Sequence, residues 1–294
     1  MRTLFLSCLS MLAFAGNSVL CRLALAEQQI DPASFTGVRL VSGAFMLVLI
    51  LSLSKKNVTD SASLDTETAT GRFRRSVFAA CALFAYAIFF SYAYLSLDTA
   101  TGALVLFGVV QITLISIGMA KGQTLKALEW VGLVLACVGF VYLLLPELNK
   151  PTLSGLLMML IAGVAWGVYT AIGQGSVQPL NDTRANFVFT VPLVLILAVV
   201  CLLLDITPEL TTRGILLAVV SGAITSALGY AIWYLVLPKL ETTLAAVMQL
   251  SVPAIAAVLG LLLVNETPSV HLLVSGFTIL LGIFIVIMAR SKSF

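Results

Sequence analysis

Apolar runs of about twenty residues, long enough to cross a bilayer as helices, recur along the chain between short stretches of polar residues. Ten are predicted: 3–26, 33–53, 76–96, 99–119, 127–145, 153–175, 184–204, 214–237, 241–264 and 270–289. Two to eight residues join most of them, so consecutive helices should pack as neighbours. The exception is 54–75, SKKNVTDSASLDTETATGRFRR, whose serine, threonine and charge predict a mobile solvated linker.

Lys and Arg gather on one side of these spans. Arg2, Lys55, Lys56, Arg72, Arg74, Arg75, Lys121, Lys126, Arg184, Lys239, Arg290 and Lys292 share the side of the N-terminus; Arg22, Lys150 and Arg213 lie opposite, and Arg39 falls inside a span. Twelve against three puts both termini in the cytoplasm, which requires an even number of crossings. Arg2, the apolar stretch after it and Ala24-Leu25-Ala26 also resemble a signal peptide with its cleavage site. We read the segment as a retained first helix, because its loss would leave nine spans and break the repeat described next.

Composition narrows the class. Of 294 residues 60% are hydrophobic and 10% charged, with a mean hydropathy of +1.10, which excludes a water-soluble globule. A net charge of +3 supplies no basic patch for nucleic acid, so the expected partners are the lipid bilayer and a small-molecule substrate. Cys8, Cys21, Cys81, Cys137 and Cys201 sit in apolar runs with no CxxC pair and no nearby histidine; they read as buried thiols, and no metal or other cofactor is expected.

The two halves repeat. AYAIFF at 85–90 matches GYAIWY at 229–234, and LDTATGA at 97–103 matches LETTLAA at 240–246. Gly132 and Gly139 keep the spacing of Ser275 and Gly282, and Ala15-Gly16 falls opposite Trp166-Gly167. A copy with an odd number of crossings enters the membrane upside down the second time, as in many secondary transporters. The expected fold is therefore an all-α polytopic membrane protein of ten transmembrane helices in two inverted five-helix repeats, 1–148 and 149–294.

The chain resembles the drug/metabolite transporter superfamily, in its ten-helix EamA-type branch. The resemblance spans nearly the whole chain. It rests on the AGN and AWG triplets at 15–17 and 165–167, Arg22 and Arg39 around the first loop, the LDT and LETT helix entries, Pro253, and the Asn265-Glu266 pair. Three departures set the halves apart: Ala15 stands where the family usually carries tryptophan, Val110 where Pro253 predicts proline, and Gln123 where Glu266 predicts an acid. The resemblance implies an inner-membrane carrier of small metabolites, with export of amino acids or related compounds ahead of uptake. The repeat places the site at the midplane, and the resemblance implies that the first, third, fourth, sixth, eighth and ninth helices bound it.

Candidate substrate contacts are the polar and aromatic groups at depth. Pro253, expected mid-helix, would free the carbonyl of Gln249, so Gln249 is the first candidate; a plain kink satisfied by the hydroxyl of Ser251 or Thr243 is the alternative. Pro192 should kink the seventh helix. Asn17 and Gln111 are mid-membrane amides that either glue helices or line a cavity. Tyr86 and Tyr230, at matched repeat positions, with Trp166, Tyr169 and Trp233, supply rings able to close a pocket. Arg39, two turns into its helix, either snorkels to headgroups or pairs structurally, or attracts an anionic solute; Arg22 reads as a surface anchor. Gly163, Gly167 and Ala171, like Gly118 and Gly122, have the spacing of close helix contacts.

All thirteen acidic residues, Asp98, Glu129, Glu241 and Glu266 among them, fall in loops or at helix ends, and the single histidine, His271, starts the last helix. That disfavours an antiporter built on a mid-membrane carboxylate, leaving facilitated diffusion or coupling through Glu266 and His271. No nucleophile–base or metal-ligand spacing lies within the spans, so an enzyme is not expected. A carrier of nucleosides, sugar derivatives or other neutral solutes is the alternative within the class, and a membrane sensor or structural protein the alternative outside it. The orientation is checked by fusions: alkaline phosphatase joined after Gln28 and after Thr207 should be active, and green fluorescent protein joined at Phe294 should fluoresce; the opposite pattern would invert the topology.

Overall fold

The computed structural model describes residues 2–53, 69–144, 152–174, 176–236, 240 and 248–291. Ten helical segments occupy the ten predicted runs: α1 (Arg2–Ala26), α2 (Pro32–Leu53), α3 (Ala69–Ala93), α4 (Thr99–Ala120), α5 (Ala127–Leu144), α6 (Thr152–Gly173), α7 (Pro179–Leu203), α8 (Thr212–Val236), α9 (Ser251–Leu263) and α10 (Val270–Ser291). Eight of these are long and apolar enough to span a bilayer, while α5 and α9 are shorter apolar helices. Leucine, valine, isoleucine and phenylalanine on α5, α7 and α10 face outward, among them Val134, Val138, Leu195, Val199, Leu273 and Phe277. Lipid is the solvent such a surface requires.

Four local features depart from the sequence expectation. First, α3 begins at Ala69, so Arg72, Arg74 and Arg75 are helical instead of belonging to the linker, whose residues 54–68 lie outside the described residues. Hydropathy marks where the membrane begins, not where hydrogen bonding ends, and an arginine-rich turn keeps good helix propensity in water. Second, α9 begins at Ser251, which makes Pro253 its third residue. Pro253 has no amide to return to the Gln249 carbonyl, and the helical pattern, which includes Met248 and Gln249, is interrupted at Leu250, just ahead of the proline. Residues 241–247, with Glu241 and Thr243, lie outside the described residues. Pro192, by contrast, is inside α7, on its exposed face.

Third, α8 is not one regular helix: Ser221–Leu228 form a π-helical segment between two α-helical stretches. Such segments rotate the following side chains out of register and concentrate at functional sites. Fourth, Gly122 has φ of +88° and follows the end of α4, where Gln123 N–H donates to the Gly118 carbonyl at 3.0 Å. It terminates the helix and does not pack against a neighbour.

The principal packings map onto each other when the halves are exchanged. α3 against α6 corresponds to α8 against α1, α4 against α6 to α9 against α1, and α2 against α8 to α7 against α3; the pairs α2–α7, α4–α9 and α5–α10 map onto themselves. The matched small residues obey the same rule: Gly132 abuts Gly282, and Gly139 abuts Ser275. Gly163 and Gly167 of α6 seat Val109 and Thr113 of α4.

The closest approach at the centre is between α2 and the π segment. A Cβ on Gly222 would collide with the Arg39 carbonyl and the Ser42 hydroxyl oxygen. Backbone is the obstacle, so no rotamer relieves it. Gly222→Ala should therefore destabilise the fold by about 1–3 kcal/mol, the usual cost of overpacking, measured as a lower Tm in detergent. Gly16→Ala, where a Cβ would sit 3.5 Å from the Thr225 methyl, should be near neutral.

Candidate functional site

Helices α1, α2, α3 and α8 join through one polar network at the centre. Arg39 on α2 is 1% exposed. Its Nε–H donates to the Ser226 hydroxyl at 3.1 Å and its Nη2 to the Tyr86 hydroxyl at 2.9 Å. The Tyr86 oxygen also accepts from Asn17 Nδ2 at 3.1 Å, and Asn17 Oδ1 accepts from the Ser221 hydroxyl at 2.7 Å. Thr225 leans on the same amide oxygen at 3.4 Å while donating to the Ser221 carbonyl at 2.8 Å. Three of these hydroxyls come from the π segment, whose altered register aims Ser221, Thr225 and Ser226 inward. The guanidinium carbon lies 5.1 Å from the ring centres of Tyr86 and of Phe90. So Arg39 does not snorkel; rings and neutral hydroxyls hold it inside.

Aromatic rings from both halves wall the network. Trp166 on α6 bridges the repeat-matched pair, 4.8 Å from Tyr86 and 4.9 Å from Tyr230 between ring centres, and stands 5.2 Å from Tyr169. Phe14 meets Tyr230 at 5.7 Å and Trp233 at 6.1 Å. A cavity of about 10 Å³, lined by Asn17, Phe14, Tyr86, Phe90, Trp166 and Tyr230 among others, sits inside this shell. That volume admits about one water molecule. Six of the sequence candidates, Asn17, Arg39, Tyr86, Trp166, Tyr169 and Tyr230, thus converge. Gln111 is buried on α4 apart from this network, and Gln249 is half-buried and helical, just before the turn at Leu250 that precedes α9.

A second cluster closes the end of the bundle distal to the termini, joining residues that the sequence alone places only at separate helix ends. Asn265 adopts φ of +59° and Glu266 N–H donates to the Gly260 carbonyl at 3.1 Å, ending α9 in a left-handed turn. The turn swings Glu266 onto Arg22, whose Nε–H donates to Oε1 at 2.7 Å. Arg22 also reaches the Tyr94 carbonyl at 3.0 Å and Asp98 at 3.3 Å, so it is a tie between helices and not a surface anchor. Glu266 Oε2 accepts the Thr99 N–H at 2.7 Å. Asp98, the N-cap residue of α4, makes no capping bond with its own side chain, so a carboxylate of the second half caps a helix of the first. Burial pushes the Tyr94 phenol well above its ordinary value, so it remains a donor, towards the Thr99 carbonyl at 3.4 Å. Beside this cluster lies a cavity of about 160 Å³ lined by Ser96, Asp98, Thr101, Glu266, Ser269 and His271 with apolar neighbours. At the opposite end Arg75 on α3 pairs with Asp182 on α7 at 3.0 Å, and the Ser176 hydroxyl donates to the same carboxylate at 2.6 Å.

The motif that signalled the distal cluster was already legible as LDT and Asn265-Glu266; what the sequence lacked was that they meet. Glu266→Gln retains an acceptor for Thr99 but leaves Arg22 without its closest charge. It should cost about 1–3 kcal/mol of stability, the penalty for unpairing a partly buried ion, read as a fall in Tm in detergent. Asp98→Asn, at a largely exposed carboxylate, should cost less than about 1 kcal/mol. Equal losses would remove Glu266 from its place as the principal partner.

The EamA-like transporter family model matches residues 1–145 and again 153–288. An uncharacterized protein of Pseudomonas aeruginosa is 43% identical over 289 residues, covering 98% of this chain and 96% of that protein. Uncharacterized transporters of Bacillus subtilis and Archaeoglobus fulgidus are each 22% identical, covering 87% and 97% of this chain and 87% and 96% of their own lengths. A solved crystal structure superposes with a TM-score of 0.63 at 16% identity, over 98% of this chain and 99% of the other, which shows the shared fold. With ten helical segments, two matched halves and the family pattern along almost its entire length, the chain belongs to the EamA-like transporter family.

Proposed function

We propose that this protein exports amino acids or closely related compounds across a bacterial inner membrane by alternating access. The two repeats, 1–148 and 149–294, rock against each other about the central network, with both termini in the cytoplasm. The observation that supports this reading is the composition of the centre. Polar groups and rings contributed by both halves surround a space of only about 10 Å³, and ion pairs close both ends of the bundle. A solute enters when one end opens, Trp166 and the tyrosines move apart to make room, and the Arg22–Glu266 and Arg75–Asp182 pairs break in turn. Asn17, Arg39, Tyr86, Tyr230, Trp166 and Tyr169 form the first contacts; Gln111 and Gln249 join the wall in an opened conformer.

Counterflow in proteoliposomes tests the proposal. Vesicles preloaded with a mixed metabolite pool should take up labelled amino acids, and Trp166→Ala and Gln249→Ala should each lower that uptake about tenfold while the protein stays folded and inserted. Uptake of labelled nucleosides or sugars in place of amino acids would replace the cargo. No uptake of any class by folded protein would overturn transport.

A further inference from the structure

The central site, read as the solute site proposed above, carries a charge with no counter-charge. No ion pair among the described residues involves Arg39, and the eight carboxylates among the described residues lie in loops or at helix ends. The guanidinium is also incompletely bonded. Nε–H is taken by Ser226, Nη2 by the Tyr86 hydroxyl, and Nη1 has no hydrogen-bond partner among the described residues. The Nη1/Nη2 edge of the fork, the edge that accepts a carboxylate two-pronged, therefore holds one neutral acceptor, and that acceptor is shared with Asn17.

We propose that the group this site recognises is a solute carboxylate, bound two-pronged to Nη1 and Nη2 of Arg39, with the Tyr86 hydroxyl occupying its place in the closed conformer. Displacing Tyr86 exchanges a neutral hydroxyl for an anion beside an uncompensated cation in a dry surround, where charge-assisted hydrogen bonds are strongest. The remainder of the solute meets Phe14, Phe90, Phe107, Trp166 and Tyr230, which with Tyr86 are the rings that line the adjoining cavity, and so is apolar or aromatic. Among the described residues that line the cavity there is no carboxylate to pair with an ammonium group. Asn17 Oδ1 is the amide acceptor nearby, and it already receives Ser221 at 2.7 Å and Thr225 at 3.4 Å. The ligand class is thus a small monocarboxylate with an apolar body: a free amino acid qualifies through its carboxylate, and its N-acyl and 2-hydroxy counterparts qualify equally, whereas its amide does not.

The test is binding, measured by calorimetry and tryptophan fluorescence on the full-length protein in detergent. The probes are leucine and phenylalanine, each as the free amino acid, the N-acetyl derivative, the 2-hydroxy acid and the amide. The carboxylates should bind within a few-fold of one another, and the amides about tenfold or more weaker. Arg39→Lys, which keeps the charge but loses the fork, should weaken every carboxylate by about tenfold. Tyr86→Phe keeps the ring that meets the solute and removes only the hydroxyl that competes for Nη2, so it should tighten carboxylate binding by about a few-fold. Amides binding as well as acids, no carboxylate binding to the folded wild type, or a folded Arg39→Lys protein with unchanged affinity would each overturn the proposal. If Arg39→Lys fails to fold, the wild-type probe series and Tyr86→Phe decide it. Carboxylate binding without counterflow would overturn the carrier reading and leave this site standing; counterflow of nucleosides or sugars without carboxylate binding would do the reverse.

Discussion

A cationic side chain in the hydrocarbon interior costs about 2.5–3.5 kcal/mol on insertion scales and more where water cannot follow it, and the geometry around Arg39 is arranged to bear that cost. Tyr86 and Phe90 cover its faces, and Ser226 and Tyr86 take two of its donors. Each arrangement makes a demand on the fold. Ser226 reaches the guanidinium only because α8 carries a π segment, and that segment reaches α2 only because Gly222 lets two backbones touch. Tyr86 is held in turn by Asn17, and Asn17 by Ser221 and Thr225. Four helices from both halves are thereby indexed to one charge.

Much of the architecture was legible in the residues. The ten apolar runs are the ten helices, and the matches drawn between halves predict real contacts, since the glycines and serine aligned along 132–139 and 275–282 meet across α5 and α10. The aromatic candidates converge because Tyr86 and Tyr230 occupy matched positions with Trp166 between them. The remainder needed coordinates for identifiable reasons. Depth along a helix says how far Arg39 is from the surface but not which face it occupies, so snorkelling and burial read alike. A π segment has the composition of the helix around it. Pro253 lacks an amide wherever it sits, and hydropathy does not mark that the helix is interrupted at Leu250. Glu266 caps α4 from 167 residues away in sequence, beyond the reach of any local rule.

The two ends of the bundle are closed by different means. At the distal end a single arginine gathers the ends of α1, α3, α4 and α9, and its carboxylate partner doubles as a helix cap. At the other end Arg75, Asp182 and Ser176 form a smaller tie between α3 and α7. Between them the centre is packed by its own rings. The larger of the two cavities described, of about 160 Å³, lies at the distal end beside Glu266 and His271, outside the ring cage. The structure is thus packed with rings at its middle and tied by ion pairs at both ends.

The reciprocal contact of α5 and α10 bears on how such a chain has been free to diverge. Where two identical subunits meet about a two-fold axis, a change at one position strikes the interface twice. Gly132 against Gly282 and Gly139 against Ser275 are the same contact made twice by one chain, yet the copies are written separately in the sequence. Ser275 stands opposite Gly139 while its repeat counterpart, Gly132, remains glycine, and Trp166 stands where the first copy has Ala15. Joining the halves lets one copy acquire bulk or polarity while the other keeps the space that bulk would fill. An asymmetric lining, with one arginine and one bridging tryptophan, is a product that paired identical halves could not reach.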